Sequence, residues 1–547
     1  MEQAAVDQLG SVKYVVLGAY LLMLLAFGVA GYRKSQNTEE DYYLAGRGQG
    51  WIVSSLTIMA TFFSSFALLG APGMVYREGV IFALFSLNVP LSGASIYFLG
   101  ARIGRIGRAK GYVTPADMIC GYYGESKALR LLVALIGALY AVPYVIMQIK
   151  AGGILSESMF GEGAYVPGAT ILAVITMVYI MIGGMRSVAW TDVVQGLLLV
   201  GGMLLAGLAT VAALGGFSAF FVAIAELPPS SLSAPGTTGK FNHWMLLTIV
   251  LFASTGSMIQ PAQWMRYYAA DSTNTLRRSA LVFAVLLTAC FLFGVMLVGL
   301  GGQALYPLAE AAGGGVAPNA AVGEYDNILV TVLTNHLPQL FGAGSMIGAI
   351  VTSLILVAIM AAAMSTADSN LHSLSGVVTR DVYDRYIRPE ASQTERTWVG
   401  RIVICVSTVV ALILVIAANA RSPDDDPLKM IAQLGFFAIA FAALLLPPAI
   451  DIMYIRKGTR AGAISGIVAG LIILLFISPF LPSLLNPMFG EEALSGMNDL
   501  VKTMTGMVDR SAWGLLASIT VFIGVSVYTR KPDEKTVSEF KRIAEGD

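Results

Sequence analysis

Charge is what this sequence has least of. Only 12% of its 547 residues are Asp, Glu, Lys or Arg, about half the share found in soluble domains. The 34 basic and 34 acidic residues cancel, which argues against nucleic acid or any strongly charged partner surface. Cysteine is scarce as well. Cys120, Cys290 and Cys405 stand far apart and support neither a disulfide framework nor a zinc site. His243, His336 and His372 are equally scattered, with no H-E-x-x-H and no Ser/His/Asp order beside them. No catalytic centre emerges, so an enzyme is not expected. Met1 to Ser11 is polar and acidic. Without a basic leader or a small-residue cleavage site, it predicts a first apolar helix that is retained.

What the chain does have is apolar sequence. Hydrophobic residues make up 56%, in runs of about 20 rather than ten-residue alternations, so the lipid bilayer is crossed by helices and not by strands. The expected fold class is an all-α polytopic membrane protein. Thirteen transmembrane helices are predicted, at 13–32, 51–76, 79–101, 128–152, 165–183, 190–215, 243–264, 279–302, 340–368, 398–420, 429–453, 461–480 and 511–529. With the N-terminus outside, the inner loops collect Arg33, Lys34, Arg47, Arg102, Arg105, Arg108, Lys110, Arg277, Arg278, Arg380, Arg385, Arg388, Arg396 and Arg401. This is the bias of a cytoplasmic face. The C-terminus and its charged tail, 530–547, then lie inside. The outer segments 216–242, 303–339 and 481–510, with acidic pieces at Ala309 to Tyr325 and Asp424-Asp425-Asp426, read as solvated loops. None is large enough for a separate domain, so 1–547 is one membrane domain.

Two spans are interrupted alike. The second holds Thr61-Phe62-Phe63-Ser64-Ser65 before Gly70-Ala71-Pro72-Gly73, and the seventh holds Ser254-Thr255-Gly256-Ser257 before Gln260-Pro261. Unpaired backbone at membrane depth is tolerated only where protein buries it or it lines a cavity. Paired broken helices in two halves point to a transporter's central site. The two spans are five apart, so 51–215 and 243–453 are predicted as inverted repeats, with 13–32 and 461–529 flanking. In the ninth span Ala362, Ser365 and Thr366 share a helix face. A carbonyl and two hydroxyls form an oxygen set for a small cation, although such hydroxyls also bond back to the preceding turn or to a neighbouring helix. Gly462, Gly466 and Gly470 predict close helix packing in span twelve. Lys150, near the outer end of span four, reads as an interface lysine that snorkels, ahead of one that attracts an anion. Asp368 and Asp451 lie near inner span ends, where capping, pairing with a loop arginine or water contact is expected.

Asp41-Tyr42-Tyr43-Leu44-Ala45-Gly46-Arg47, then Gly183-Gly184-Met185-Arg186-Ser187-Val188 with Thr191-Asp192 and Gln195, resemble the sodium:solute symporter family. So do Gly70 to Gly73 and Ala363-Met364-Ser365-Thr366 through Asp381 and Tyr383. The resemblance runs over nearly the whole chain. It implies a LeuT-type five-plus-five inverted repeat in the plasma membrane and sodium (Na+) as the coupled ion. It places sodium on the carbonyls of Ala60, Phe63 and Ala362 and the hydroxyls of Ser365 and Thr366. Asp192 would support that site, contribute to a second cation site, or cap a helix start. The solute would sit by Thr61, Phe62, Ser64, Ser65, Ser257 and Gln260. Phe62 stands where sugar carriers of the family have Asn and proline carriers Asp, so neither specificity transfers. An aromatic wall with hydroxyls, and free N–H groups at a half-helix start, favour a monocarboxylate, a pantothenate-like acid or an amino acid such as proline over a sugar. The tail is too short to make the chain a solute sensor with a signalling module. Two repeats in one chain are expected to work as a monomer.

Overall fold

The computed structural model describes residues 10–34, 38–311, 315–342, 344–420, 431–478, 481, 485 and 494–546. Asp424-Asp425-Asp426, most of 481–493 and the leader Met1 to Leu9 lie outside the described residues. Helices dominate the rest: α1 (Val12–Arg33), α2 (Glu39–Leu44), α3 (Trp51–Phe62), α4 (Phe66–Glu78), α5 (Val80–Lys110), α6 (Pro115–Tyr123), α7 (Lys127–Phe160), α8 (Tyr165–Ala213), α9 (Phe217–Ala225), α10 (His243–Ile259), α11 (Pro261–Ala269) and α12 (Thr273–Leu305). They are followed by α13 (Ile328–His336), α14 (Met346–Ile387), α15 (Gln393–Asn419), α16 (Ile431–Ile455), α17 (Arg460–Phe476), α18 (Ser495–Met507), α19 (Arg510–Tyr528) and α20 (Glu534–Glu545).

Short polar side chains start these helices where the sequence supplies them. Ser126, Ser272, Ser345, Ser392 and Thr459 each accept the N–H three residues on, and Asp509 accepts that of Ser511. Each satisfies one of the orphan donors of a helix start.

Among the described residues nine helices are long and apolar enough to cross a membrane, or up to eleven if each bent pair is one span. The bent pairs are α3 with α4, at 60°, and α10 with α11, at 53°. They are the two spans whose sequence mixes hydroxyls with helix breakers. Two expected spans, 165–183 and 190–215, form the 49-residue α8, interrupted at Gly184 (φ 56°, ψ −154°). A straight helix of that length would reach about 73 Å, far beyond a bilayer core of about 30 Å. The break is glycine because a Cβ there would strike the Tyr42 carbonyl at 2.8 Å.

Burial sorts the helices. The most apolar windows of α1 and α15 are only 22% and 28% buried, whereas those of α14 and α16 are 72% and 83% buried. The first pair faces lipid and the second forms the centre. Gly462, Gly466 and Gly470 carry α17 onto α19 as expected: a Cβ on Gly466 would meet the Ser518 carbonyl at 2.8 Å.

Two expectations fail here. The segment 303–339 is not simply a solvated loop, because Ile328, Leu329, Val330, Val332 and Leu333 of α13 are buried. This nine-residue apolar helix is too short to register as a span, yet it packs into the helix bundle. The ninth span also runs past 368. Ser369, Asn370, Ser373 and Ser375 each donate to a carbonyl three or four residues back, so polar sequence continues the helix in the interior.

At the basic end, buried Arg130 donates to Asp117 (3.0 Å) and Asp381 (2.6 Å), while Arg380 joins Asp117 to Glu39 of α2. Burial pushes the Asp117 carboxyl up, but Arg380, the Val113 N–H and Arg130 together hold it below its ordinary range. The network clamps α2, α6, α7 and α14 together.

Candidate functional site

The first break releases backbone carbonyls in a defined order. A continuous helix would send the Ser64 N–H to Ala60, but it goes to Phe62 (3.0 Å). The Ser65 N–H, due to Thr61, goes to the Gln148 side chain (3.1 Å). The Ala67 N–H, due to Phe63, goes to Ser64 (2.9 Å). Ala60, Thr61 and Phe63 thus lose their helical donors within one turn. At the second break Gln260 is extended (φ −69°, ψ 154°), and its side chain accepts the Ala262 N–H at 2.7 Å. Pro261 at the first helical position has no N–H to satisfy.

Alpha14 lies against the freed carbonyls. The Ser365 hydroxyl donates to Ala60 O (3.1 Å) and Ala362 O (3.0 Å), and Thr366 donates to Ala60 O (3.2 Å) and Thr61 O (3.5 Å). Ala60, Phe63, Ala362, Ser365 and Thr366 are all fully buried. The hydroxyls bond both to the preceding turn and to the neighbouring helix, as the alternative reading of this face required. The same neutral oxygens match a hard monovalent cation, which would take the carbonyl lone pairs once the hydroxyl protons turn aside. Phe63 turns its ring onto Phe291 at 6.0 Å.

Below this cluster lies a second one. Asp192 is no helix cap: α8 is continuous beyond Gly184, and Thr191 donates back to Ser187 (3.2 Å) and Val188 (2.9 Å). Asp192 instead accepts from Thr57 and, at 3.1 Å, from Arg266. Asp368 is not at a wet helix end either. It is buried, accepting from Tyr179 (2.5 Å) and Ser369 (3.0 Å). Thr61 pairs with Ser369 (3.1 Å), which places it in this lower cluster and not on the solute side. Nothing in the sequence put Arg266 here. Its only signal is an arginine in the otherwise uncharged stretch Trp264 to Ala270.

The residues expected to line the solute depart further from expectation. Phe62 is half-buried and packs edge-on against Phe283 of α12 at 5.1 Å, so it does not wall the break. Aromatics from other helices do. Tyr140 and Tyr144 stack at 4.8 Å on α7, and Phe66 meets Phe436 of α16 at 5.2 Å. Ser65 Oγ and Gln148 Nε2 are buried with no hydrogen-bond partner among the described residues. Ser257 donates back to Ala253 (2.5 Å). Its neighbour Gly256 packs on Ile439, and Gly435 of the same helix α16 meets Phe66 and Met147. The two breaks therefore flank α16.

Lys150 does not snorkel. It is 8% exposed on α7, and its charge acts on Asp326 in the segment before α13. Burial pushes the Asp326 carboxyl up to about 6, against the Ile431 N–H (3.0 Å) and Lys150. Asp451 accepts the N–H groups of Lys457 (2.9 Å) and Gly458 (2.8 Å), capping the turn after α16.

A family model described as the sodium:solute symporter family matches residues 42–470. A sodium/proline symporter of Salmonella typhimurium is 29% identical, covering 82% of this chain and 85% of its own length. A sodium/pantothenate symporter of Haemophilus influenzae is 26% identical over 82% of this chain and 87% of that protein. Among solved structures, a Na+-coupled sialic acid symporter superposes with a TM-score of 0.71 at 19% identity, over 96% of this chain and all of that one. A nucleobase-cation-symport-1 family transporter gives 0.53 at 14% identity, over 92% and 98%. The fold is shared with these carriers, and the function class follows from the family match. This multi-pass membrane chain belongs to the sodium:solute symporter family and couples sodium to the symport of a small solute.

Proposed function

We propose that the protein imports a small carboxylate or amino acid, with one sodium held by the carbonyls of Ala60, Phe63 and Ala362 and the hydroxyls of Ser365 and Thr366. The observation that carries this reading is the Ala60 carbonyl: released by the break in α3 and α4, it receives both hydroxyls of α14. An ion there ties the broken span to α14 only while all five oxygens converge, so binding favours one access state over the other. The solute lies beside the breaks, among Ser64, Ser65, Ser257, Gln260, Gln148 and the Tyr140–Tyr144 pair. Proline and pantothenate, the solutes named for relatives, both carry a carboxylate, and free N–H groups at a half-helix start suit one. The chain crosses thirteen times with its N-terminus outside, 51–215 and 243–453 form the two repeats, and it acts as a monomer.

One sodium moving down a tenfold gradient supplies about 1.4 kcal/mol, and a 100 mV inside-negative potential adds about 2.3. Together they limit accumulation of a neutral solute to roughly 500-fold. The test is uptake of radiolabelled L-proline, pantothenate and pyruvate into proteoliposomes with and without an imposed sodium gradient. Sodium-driven accumulation of one of them is expected. Accumulation of a sugar, and of none of the three, would overturn the solute class.

A further inference from the structure

Arg266 is 1% exposed, and its guanidinium spends every face on a different helix. One terminal nitrogen donates to Asp192 of α8 (3.1 Å) and to the Ser369 hydroxyl of α14 (2.5 Å). The Nε donates to the Thr57 hydroxyl (2.9 Å) and carbonyl (3.2 Å) on α3, and the other terminal nitrogen to Ala262 O (3.2 Å) on its own α11. A counterion for Asp192 alone would need only the first of these. The others reach toward both breaks. Ser369 donates to the Ser365 carbonyl at 2.6 Å, one turn from the proposed sodium ligands, and Thr57 accepts at its carbonyl from Thr61 (2.8 Å). In the other direction, Ala262 is the residue whose N–H Gln260 holds at the second break.

We infer that Arg266 is a positioning residue that transmits sodium occupancy, sensed by α3 and α14, to α11 and through Gln260 to the solute side. The inference rests on the sodium-site reading above. An ion that fixes α3 against α14 fixes Thr57 and Ser369 as acceptors, and the planar fork then holds α11 at one setting. A solute that selects the same setting gains affinity in the presence of sodium, and sodium gains affinity by the same factor in the presence of solute. Lysine keeps the charge but cannot fork to three helices at once.

Sodium alone is a sufficient probe. Hydrogen–deuterium exchange of the full-length protein in lipid nanodiscs, in sodium chloride against choline chloride, is expected to show sodium slowing exchange in peptides from α3, α14 and α11. In Arg266→Lys the slowing of α3 and α14 should remain, while that of α11 falls about fivefold or more, the lower end of typical couplings between sites. Ser369→Ala removes the α14 arm, along with the Ser369 bonds to Asp368 and Thr61, and leaves the Asp192 pair intact, so it gives the same split even if Arg266→Lys does not fold. Sodium protection of α11 that persists in either folded variant, or is absent from the wild type, overturns the inference. Ser365→Ala separates the premise: if it leaves sodium protection of α3 and α14 unchanged, the sodium site is elsewhere and the coupling claim falls with it for that reason.

Discussion

Replacing Ser365 by alanine removes one hydroxyl from the proposed ion cluster, and the structure sets how much that should cost. Without the ion, the hydroxyl donates to Ala60 O and Ala362 O at 3.1 and 3.0 Å, neutral hydrogen bonds of which the more effective is worth about 1 kcal/mol net. With the ion, the same oxygen faces a charge, an interaction worth about 1.5–3 kcal/mol. The variant loses both, so only the difference, about 0.5–2 kcal/mol, appears in sodium affinity. That corresponds to a rise of roughly 2- to 30-fold in the sodium concentration for half-maximal uptake. Uptake at saturating sodium should largely recover. Thr366→Ser keeps its hydroxyl and should stay near the wild type, whereas Ser365→Ala with Thr366→Ala should exceed either single change. The measurement is initial uptake into proteoliposomes across a sodium titration. An unchanged sodium dependence in Ser365→Ala would refute the reasoning.

Asp326 gives a pH test. Its carboxyl is raised to about 6 from an ordinary 3.8 while buried, so a conformation that buries it binds the proton more tightly than one that opens it to water. The conformation that buries it gains stability as pH falls through about 6, and the gain is complete below 3.8. From pH 7 to pH 5 this amounts to about tenfold, roughly 1.4 kcal/mol. External thiol labelling of Leu69→Cys, in a background lacking the three native cysteines, should slow accordingly, and Asp326→Asn should flatten the profile. A wild-type profile already flat over that range contradicts the assignment. Arg130→Ala leaves the buried Asp381 without its cation and should cost about 3–5 kcal/mol, read as a lower melting temperature in detergent, while an unchanged melting temperature would show the network to be dispensable. Gly466→Leu drives a side chain into the Ser518 carbonyl and Phe522 and should destabilise α17 against α19 by about 1–3 kcal/mol, seen in the same assay. Tolerance of leucine there would deny the close approach.

The parts of the fold legible in the sequence were those written in consecutive residues. Hydropathy marks most spans, and serine, glycine and proline mark both breaks. The three-and-four spacing brings Ala362, Ser365 and Thr366 onto one face, where the structure presents two of them to Ala60. What escaped depends on distant partners. Arg266 goes unmarked because its partner Asp192 is 74 positions away, and Gln148 because its partner is the unwound Ser65 N–H of another helix. Phe62 closes α3 just before the unwinding, and its ring is taken by Phe283 of α12, a partner distant in the chain. Alpha13 was missed for its length, and the lower half of α14 because its polar side chains are satisfied locally by the preceding turn.

That lower half has a consequence for how the chain is made. A segment carrying Asp368, Asn370 and His372 is costly to leave facing lipid, by about 2.5–3.5 kcal/mol for a central aspartate alone. It cannot rest there alone while waiting for partners. Yet Tyr179, Asp192 and Arg266 all precede it in the chain, so they leave the ribosome first and are already inserted when α14 emerges. The order of the spans is thus an order of assembly, in which α14 follows the helices that carry its donors Tyr179 and Arg266.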